Sequence, residues 1–399
     1  MVKAIAPNST ANGLAIHRLY GILVLANVSR VACNNVLDFG GEASRSAERP
    51  KVLGSLSAPL RWHPEASGAW VDYRGDAVIK TALGFASRRV LEQTAWVQRQ
   101  TPEVQSRFPK IRCLEWGPQS ASAVLQNVYM EPLSDQIVQE ACSAEVAAKI
   151  QSEIMEWVAC VMHRTASPPW VSSLEHLLKQ TEARLINIPP FYCSLLHHLI
   201  WSREVRINGT KCFGLLRCLE LFSDGREAID QHAPTHFCLV HGDLHTGNML
   251  AGHEAFYLID PRGSFGDAHD HFDICYDYGK ILHDIYCGYS LIKAGFCRMH
   301  WEGLDCEYDL GSSAAVHAYR YLYFNLLDMG RENNEIFDPR LWPRAHVFAG
   351  LLMAGAIPYH LRFYDRVVGM AASAVVCLNR SMDMSEVRST SYTELSTCY

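Results

Sequence analysis

The 399-residue sequence predicts an α+β protein with two lobes, a small β-rich lobe followed by a large helical one. Between residues 51 and 133, short apolar runs of strand length alternate with turns and a single helical segment. From Ser134 onward, apolar residues recur every three or four positions over long stretches, which is typical of helices that pack on a core. A chain of this length is long enough to bury such a core.

The first lobe carries clear strand and turn signals. "GAWVDY" and "AVIK" flank the turn Arg74-Gly75-Asp76 and predict a hairpin, and "ASRRVLEQTAWVQRQ" predicts a helix that ends at Thr101-Pro102. "QNVYMEPL" predicts a further strand with a proline break. "YGILVLANV" predicts one strand within residues 1–50, which we treat as an N-terminal extension without assigned chemistry.

The second lobe is predicted to span residues 134–388, with a flexible tail at 389–399. Its first helical segment begins "SDQIVQEACSAEVAAKIQ", and Ser134 is in the position of a helix N-cap. Three further helical segments follow Asp273, and two apolar strands around residue 245, predicted to form a hairpin that carries a polar cluster, interrupt the helices.

The composition excludes several classes of protein. A formal net charge of -6 argues against a nucleic-acid-binding protein, and no apolar run reaches the roughly 20 residues of a spanning helix. The N-terminus turns polar too early for a secretory signal. The 14 cysteines are scattered without any C-x-x-C pair, so we expect free thiols and a cytoplasmic protein.

The stretch "LVHGDLHTGNMLAGHEAFYLIDPRG", residues 239–263, concentrates polar side chains between two apolar runs. One interpretation is a metal-dependent hydrolase, because His241, Asp243 and His245 alternate and would share one face of a continuous strand. The run "GDAHDHFD" downstream would offer further ligands, although Gly242 indicates that the strand has already ended. A second interpretation is a polar loop that satisfies buried backbone groups, which explains one or two of these residues but not the whole set.

The third interpretation is phosphoryl transfer. That reaction requires a carboxylate to orient an attacking hydroxyl, oxygen ligands for Mg²⁺, and a cation on the phosphates. Asp243 can be the base, while Asn248 and Asp260 can hold the metal. The spacing is that of a catalytic loop H-x-D-x-x-x-x-N followed by a metal-binding aspartate. This interpretation requires an upstream strand that ends in a lysine and a carboxylate on the helix that follows. "DAVIK" supplies the lysine as Lys80, and Glu92 is the candidate carboxylate.

The loop "VHGDLHTGNML" and the following "YLIDPRG" resemble the catalytic loop and metal site of the aminoglycoside phosphotransferase and choline kinase family, the small-molecule branch of the protein-kinase-like fold. In that family the loop reads H-G-D-x-x-x-x-N and precedes an Ile-Asp strand. "AVIK" with "LEQTAWV", "VYMEPL" and "YDYGKILH" extend the resemblance over about residues 50–300.

The resemblance implies a bilobal kinase fold, the cofactors ATP and Mg²⁺, and a role for each matching residue. Asp243 would be the catalytic base, and Asn248 and Asp260 the Mg²⁺ ligands. The implied nucleotide contacts are Lys80 on the phosphates, Glu92 holding that lysine, and the backbone of Met130 and Glu131 on adenine. His241 and Asp277 would be structural, bracing the catalytic loop. The phosphate-covering turn is weakly marked, and "LGSLSA" with Gly54 and Ser55 is its best candidate.

The expected function is therefore transfer of the γ-phosphate of ATP to a hydroxyl of a small molecule, such as a sugar, an amino sugar or a choline-like alcohol. Neither an H-R-D loop nor D-F-G and A-P-E motifs of protein kinases are present. The acids Asp267, Asp270 and Asp273 would suit a cationic acceptor, and they are equally explained as acids that begin a helix. The alternatives are a nucleotide-binding pseudokinase or scaffold and the metal-dependent hydrolase.

Overall fold

The structure has the α+β, two-lobed architecture that the sequence predicts, with a sheet in the first part of the chain and helices in the second. It is a computed structural model that describes residues 36–38, 63–64, 68–189, 192–252, 255–265, 270–302, 305–332 and 338–383. The strand expected at "YGILVLANV", the turn with Gly54 and Ser55, and the tail 389–399 lie outside the described residues.

The first lobe is built on one antiparallel sheet. Its elements are β1 (Val36–Asp38), β2 (His63–Pro64), β3 (Ala69–Arg74), β4 (Ala77–Leu83), α1 (Phe85–Arg99), α2 (Pro102–Gln105), β5 (Ile111–Gly117) and β6 (Ser120–Gln126). The strand order is β1-β5-β6-β4-β3-β2, so β4 lies inside the sheet with Lys80 opposite Val71 and Ala123. The predicted hairpin and the predicted helix up to Thr101 are both confirmed.

Helix α1 connects the two lobes through its packing. Near its start, Val90 is buried in a small cluster with Ala82 and Ala123 of the sheet. Near its end, Trp96 belongs to the large core of the second lobe and meets the ring of Phe108 edge to face at a centroid distance of 5.4 Å. One helix is therefore held by both cores, which fixes how the sheet sits over the helical lobe.

The second lobe begins at β7 (Glu131–Pro132). Its helices are α3 (Leu133–Val138), α4 (Ala144–Trp157), α5 (Ser173–Ile186), α6 (Ser194–Trp201), α7 (Leu215–Asp224), α8 (Arg226–Asp230), α9 (Cys275–Ile285), α10 (Tyr289–Lys293), α11 (Ala314–Glu332), α12 (Trp342–Ala356) and α13 (Tyr364–Asp383). A π-turn (Val158–Met162) continues α4, and 3₁₀ turns occupy Thr246–Asn248, Pro339–Leu341 and Ile357–His360. Its further strands are β8 (Glu204–Ile207), β9 (Thr210–Phe213), β10 (Cys238–Leu239), β11 (Met249–Ala251), β12 (Phe256–Leu258), β13 (His271–Phe272), β14 (Arg298–Glu302) and β15 (Asp305–Asp309).

The helix that the sequence predicts from Ser134 is in fact two helices. The helix ends after α3, because Glu140 has a left-handed backbone conformation with a φ of 55°. The second helix, α4, has its own cap, because the Ser143 hydroxyl accepts a hydrogen bond from the Val146 N–H at 3.3 Å. Ser134 does not cap α3, since its hydroxyl donates to Asp135 Oδ1. The prediction of an N-cap at Ser134 is therefore wrong.

A four-stranded sheet of order β14-β15-β8-β9 lies within the helical lobe and was not predicted. The hairpin β8–β9 turns at Asn208 and Gly209, whose φ angles of 50° and 74° are those of a type I′ turn. The outer hairpin β14–β15 joins β8 through a parallel pairing. These strands are short and half exposed. Their alternation of apolar and polar residues is therefore a weaker sequence signal than the helical periodicity of the surrounding segments.

The core of the helical lobe is formed where α9 packs against α12 and α12 against α13. Helix α12 is buried on nearly all sides, which explains why its sequence is apolar all round. No helix among the described residues is long and apolar enough to cross a membrane. The cysteines of the described segments are free thiols and most of them are buried.

Candidate active site

The polar loop of residues 240–248 joins two different sheets. The strand leading into it, β10, pairs with β13, while the strand leaving it, β11, forms a hairpin with β12. The sequence suggested instead that the two apolar runs pair with each other. Asp243 and Asn248 therefore lie before the β11–β12 hairpin and Asp260 lies just after it. The Ile259 N–H donates to the Asn248 carbonyl at 3.1 Å, which holds the two ends of the hairpin together.

Asp277, at the start of α9, braces the first half of this loop. Its Oδ2 accepts the His241 backbone N–H at 2.9 Å and its Oδ1 accepts the Gly242 N–H at 2.7 Å. His163 Nε2 lies 3.1 Å from the same carboxylate, and both side chains are buried. The position agrees with the structural role that the resemblance implies for Asp277.

Asp284, two turns further along α9, braces the second half, and sequence reasoning missed it. It accepts the Thr246 N–H at 2.8 Å and the Ser290 N–H at 2.9 Å, and the Thr246 hydroxyl also donates to it. The spacing Asp277 to Asp284 places both carboxylates on one face of α9, which was the available signal. A single helix thus holds the loop at two points.

Asp243 lies between cations from both lobes. Lys280 Nζ of α9 approaches its Oδ1 at 2.8 Å, and Arg89 Nη2 of α1 approaches its Oδ2 at 3.2 Å. Burial acts to raise the pKa of the Asp243 carboxyl, but Lys280, His245 and Arg89 outweigh burial and hold the pKa well below its usual value. Asp243 is therefore ionised at neutral pH, and its side chain keeps some contact with solvent.

Asn248 is fixed within the loop. Its Nδ2 donates to the backbone carbonyl of Asp243 at 2.8 Å, and its own N–H donates to the His245 carbonyl at 2.8 Å. Because the amide nitrogen is used in this way, the amide oxygen Oδ1 is the atom left to accept a ligand. No described residue donates a hydrogen bond to that oxygen.

Lys80 and Asp260 meet across the cleft between the lobes. Lys80 Nζ lies 2.6 Å from Asp260 Oδ2, with the lysine side chain 7% exposed and the aspartate side chain 21% exposed. Lys80 shares a face of β4 with the buried Ala82, and this face is turned toward the second lobe. The structure thus brings together the lysine and the aspartate that the sequence singled out separately.

The Lys80–Glu92 pair that the resemblance implies is not the pair that the structure shows. Glu92 Oε1 accepts from Arg88 Nε at 2.7 Å, one helical turn earlier on α1. The reason is local: an i,i+4 partner on the same helix is within reach without any movement of the lobes. The Lys80 amine is directed to Asp260 instead.

The segment after Asp260 packs tightly against both lobes. Asp260 itself has a φ of 58°, an uncommon conformation for a residue with a side chain and one that marks functional turns. Gly263, with a φ of 91°, lies so close to α1 that an added Cβ would be 2.8 Å from the Glu92 backbone. Gly242, with a φ of 74°, has no room for a Cβ because Arg262 would lie 2.6 Å from it. A side chain at either glycine would displace the loop.

The predicted hinge residues lie beside the β11–β12 hairpin. β7 pairs with β11, with Glu131 opposite Ala251. Met130 packs on Gly252, and Glu131 is exposed. The chain that links the two lobes is therefore hydrogen-bonded to the strand that follows Asn248.

The acids predicted for acceptor binding are placed differently. Asp273 is fully buried, and its carboxylate pairs with Arg344 Nε at 2.9 Å and accepts from Ser173 Oγ at 2.5 Å, so a role in acceptor binding is wrong for this residue. Asp270 is partly exposed and accepts from Gln100 Nε2 of the segment after α1 at 3.0 Å. Asp267 lies outside the described residues.

The metal triad His241, Asp243 and His245 does not form a common face. The His241 ring is buried against Phe108 and its Nδ1 accepts the Asp243 N–H at 3.2 Å. His245 Nδ1 accepts the Gly247 N–H at 3.1 Å and starts the 3₁₀ turn. Within the described segments, no group of three or more His, Cys, Asp or Glu side chains converges as metal ligands. The structure therefore does not support His241, Asp243 and His245 as a shared set of metal ligands.

A family model for fructosamine kinases matches residues 215–295, the segment that carries Asp243, Asn248 and Asp260 together with α9. The matched segment includes the whole polar loop of residues 240–248. The match supports a small-molecule kinase. No curated protein sequence matches this kinase significantly.

Several solved structures of phosphotransferases are similar to this kinase. The aminoglycoside phosphotransferase APH(4)-Ia has 11% identity and a TM-score of 0.46, covering 91% of this chain and 99% of its own. The ethanolamine kinase of Plasmodium vivax has 11% identity and a TM-score of 0.43, covering 83% of this chain and 84% of its own. The aminoglycoside-3'-phosphotransferase of type VIII has 14% identity and a TM-score of 0.35, covering 77% and 99%.

Proposed function

We propose that this kinase transfers the γ-phosphate of ATP, bound with Mg²⁺, to a hydroxyl of a small molecule. The observation that carries the proposal is the contact of Lys80 with Asp260 across the interlobe cleft, next to the loop that holds Asp243 and Asn248. Phosphoryl transfer depends mainly on positioning and on charge at the phosphates, and these four side chains supply both.

Asp243 is proposed to orient the acceptor hydroxyl and take up its proton. Its low pKa keeps the carboxylate ionised, so it accepts a hydrogen bond from a hydroxyl without first having to lose a proton. A weakly basic carboxylate suits a loose transition state, in which the attacking oxygen keeps its proton until late. Before the acceptor can reach Asp243, Lys280 or Arg89 must give way at one of its two oxygens.

Asn248 and Asp260 fit a Mg²⁺ ion by the chemistry of their donor atoms. Mg²⁺ is usually held through one or two protein oxygens, the remaining positions being filled by water and substrate phosphates. The Asn248 amide oxygen and the Asp260 carboxylate are such oxygens, and the Ile259–Asn248 hydrogen bond keeps the two residues adjacent. When bound, the ion would neutralise charge on the β- and γ-phosphates.

The nucleotide is proposed to bind between β4 and the hinge. Lys80 would exchange its contact with Asp260 for the phosphates, because an ammonium and a metal ion compete for the same carboxylate. The backbone of Met130 and Glu131 would contact adenine. Gly54 and Ser55 would cover the phosphates. Glu92 would take part only if it left Arg88, its partner in the structure.

The test is ADP release from Mg²⁺-ATP with a panel of sugars, amino sugars, sugar acids, sugar phosphates and choline-like alcohols. Replacing Asp243 by Asn is expected to lower acceptor-dependent turnover roughly 100- to 10,000-fold, the range for loss of a general base. Asp328→Asn, an exposed aspartate on α11, is the matched control and should turn over like the wild type.

Two results would decide against this function. Mg²⁺-dependent nucleotide binding without phosphate transfer to any acceptor would identify a pseudokinase or scaffold. A tightly held zinc, iron or manganese ion in the purified protein, with hydrolysis that does not need ATP, would identify a metal-dependent hydrolase.

A further inference from the structure

The cleft beside Asp243 is lined by arginines where acids were expected. The carboxylates of Asp273 and Asp270 are engaged with Arg344 and Gln100. Arg262, two residues after Asp260, lies beside the loop instead. Its Cβ would be 2.6 Å from a Cβ placed on Gly242. Arg262 is therefore immediately beside the residue that precedes Asp243.

Arg262 is held in a fixed orientation by neutral groups. Its Nε donates to the Ser264 carbonyl at 3.2 Å, its Nη1 to the Tyr276 hydroxyl, and its Nη2 to Gln180 Oε1 at 3.5 Å. The guanidinium carbon also lies 4.8 Å from the centre of the Phe265 ring. These contacts orient the guanidinium, and none of the described partners is a carboxylate that would compensate its charge.

Arg184 lies one turn of α5 beyond Gln180, the residue that Arg262 contacts. Gln180 and Arg184 are four residues apart and therefore share a face of the helix. Arg262 and Arg184 together form what we call the arginine surface. Its Nη1 donates to the Gly355 carbonyl at 3.3 Å, and its guanidinium carbon lies 5.2 Å from the centre of the Tyr359 ring. Tyr359 is 45% exposed, so this end of the arginine surface opens to solvent.

Neither arginine has a carboxylate partner among the residues that the structure describes. Burial lowers the pKa of Arg184, and the positive charges of Arg262 and Arg89 lower it further. Burial likewise lowers the pKa of the neighbouring His176, with the charges of Arg262 and Arg184 adding to the effect. Within the part of the chain that the structure describes, the region around Arg184 and Arg262 is therefore positively charged, although the whole chain carries a net charge of -6.

Partly buried positive charges without counter-charges are costly, and an anionic ligand would remove that cost. The planar guanidinium presents paired donors that match the oxygens of a phosphate or a carboxylate. An acceptor held by its anionic end at Arg184 and Arg262 would extend along Gln180 and Gly242 toward Asp243. A cationic acceptor, in contrast, would meet repulsion from both arginines and from Arg89.

We propose that the acceptor of this kinase carries an oxyanion, a phosphate ester or a carboxylate, which Arg184 and Arg262 bind while its hydroxyl reaches Asp243. The inference rests on the proposed function and names the substrate class of the same site. It replaces the cationic acceptor that the acids Asp267, Asp270 and Asp273 had suggested.

The first measurement compares matched acceptors in the ADP-release assay. The sets are glycerol, glycerol 3-phosphate, glycerate and ethanolamine, and glucose, glucose 6-phosphate, glucuronate and glucosamine. In each set, the anionic acceptors should give a higher kcat/KM than the neutral and amino acceptors. Comparing the phosphate ester with the carboxylate shows which oxyanion the site prefers. Preference for the neutral or amino member would overturn the proposal.

The second measurement needs no correct acceptor. Binding of inorganic phosphate is measured by calorimetry on enzyme saturated with Mg²⁺-ADP, so that the nucleotide site is already filled. The variant Arg184→Gln/Arg262→Gln should bind phosphate roughly 10- to 100-fold more weakly, the cost of losing charge-assisted hydrogen bonds. Lys179→Gln, an exposed lysine on the same helix α5, should bind as the wild type does.

Nucleotide binding separates the possible failures. If the wild type neither binds nor turns over Mg²⁺-ATP, the proposed function fails. If it does so in an Asp243-dependent way, but phosphate does not bind or the double variant binds it equally well, only the oxyanion site is refuted. Should the double variant not fold, Arg184→Lys keeps the charge but loses the paired donors, and it should show a smaller loss than Arg184→Gln.

Discussion

Lys80 Nζ and Asp260 Oδ2 lie 2.6 Å apart although 180 residues separate them in the sequence. The lysine belongs to the interior of the sheet in the first lobe, and the aspartate ends the hairpin of the second. Their contact therefore fixes the distance between the lobes at the proposed phosphate site. Both groups must exchange partners when a metal-bound nucleotide enters, which makes this pair the centre of the proposed mechanism.

Replacing Lys80 by methionine should abolish most ATP turnover and leave the fold in place. Methionine fills a similar volume in the sheet, while the charge on the phosphates is lost, and a loss of roughly 100-fold in kcat/KM for ATP is expected. Steady-state kinetics measure the effect, and Lys179→Met on α5 is the control because its side chain is 73% exposed. Unchanged turnover in Lys80→Met would remove the lysine from the mechanism.

Asp277→Asn should slow catalysis without removing any group that touches the substrate. The carboxylate accepts the N–H groups of His241 and Gly242 on separate oxygens, whereas an asparagine has only one acceptor oxygen. One buried N–H is left unsatisfied, at a cost of about 1–3 kcal/mol in unfolding free energy. Chemical denaturation measures this loss, and kcat should fall while the affinity for ATP stays unchanged. A fall in ATP affinity with unchanged kcat would contradict a bracing role for Asp277.

Arg344→Met should destabilise the protein strongly without changing its acceptor preference. Arg344 pairs with Asp273 at 2.9 Å inside the core, and removal of the cation leaves a buried carboxylate uncompensated, at a cost of about 3–5 kcal/mol. Arg340→Met is the control, because Arg340 is 81% exposed in its pair with Asp338. Denaturation curves and the acceptor panel together decide the role of Asp273. A changed acceptor preference would return Asp273 to the acceptor site.

The unfolding free energy should fall as the pH is lowered from about 6.5 toward 4. His346 is buried, with Nδ1 against the Trp342 carbonyl at 2.8 Å and Nε2 against the Tyr323 hydroxyl at 3.2 Å, and burial lowers its pKa to about 4. Between these pH values the unfolded chain binds a proton on this residue that the folded chain does not, so acid favours unfolding by about 1.4 kcal/mol per pH unit. His245 and His360, whose pKa values burial also lowers to about 4, add to the effect.

His346→Gln tests this account, because glutamine can keep both hydrogen bonds without titrating. Between pH 6.5 and 4, the unfolding free energy of this variant should depend less steeply on pH than that of the wild type. The difference in slope should correspond to the uptake of about one proton fewer on unfolding. His317→Gln, an exposed position on α11, is the control. A slope equal to that of the wild type in His346→Gln would show that the ring of His346 is protonated in the folded protein.

The proximity of Asp243, Asn248 and Asp260 was predictable from sequence because its constraints are local. The spacing from Asp243 to Asn248 lies within one loop, and Asp260 ends a short hairpin, so few conformations satisfy all three. Lys80 was singled out because it follows the apolar run of a predicted strand, although β4 does not end there but continues to Leu83. The hairpin at Asn208-Gly209 could also have been predicted, since this dipeptide favours a type I′ turn. It was missed because helical periodicity dominates that region.

What the sequence did not reveal depends on how separate elements are placed in space. Glu92 was expected to hold Lys80, and only the structure shows that Arg88 on the same helix is its partner. Arg184 and Arg262 come from segments far apart in the chain, and nothing in either segment indicates that they meet. Asp273 resembles an acid at a helix start, and its burial became visible only with Arg344 beside it.

The most direct test is the Mg²⁺ dependence of ATP affinity in the wild type and in Asp260→Asn, measured by calorimetry. If the Lys80–Asp260 contact marks the site of a metal-bound triphosphate, Mg²⁺ should strengthen ATP binding to the wild type and have little effect on Asp260→Asn. Equal ATP affinity with and without Mg²⁺ in the wild type, or the same Mg²⁺ effect in both proteins, would contradict the assignment.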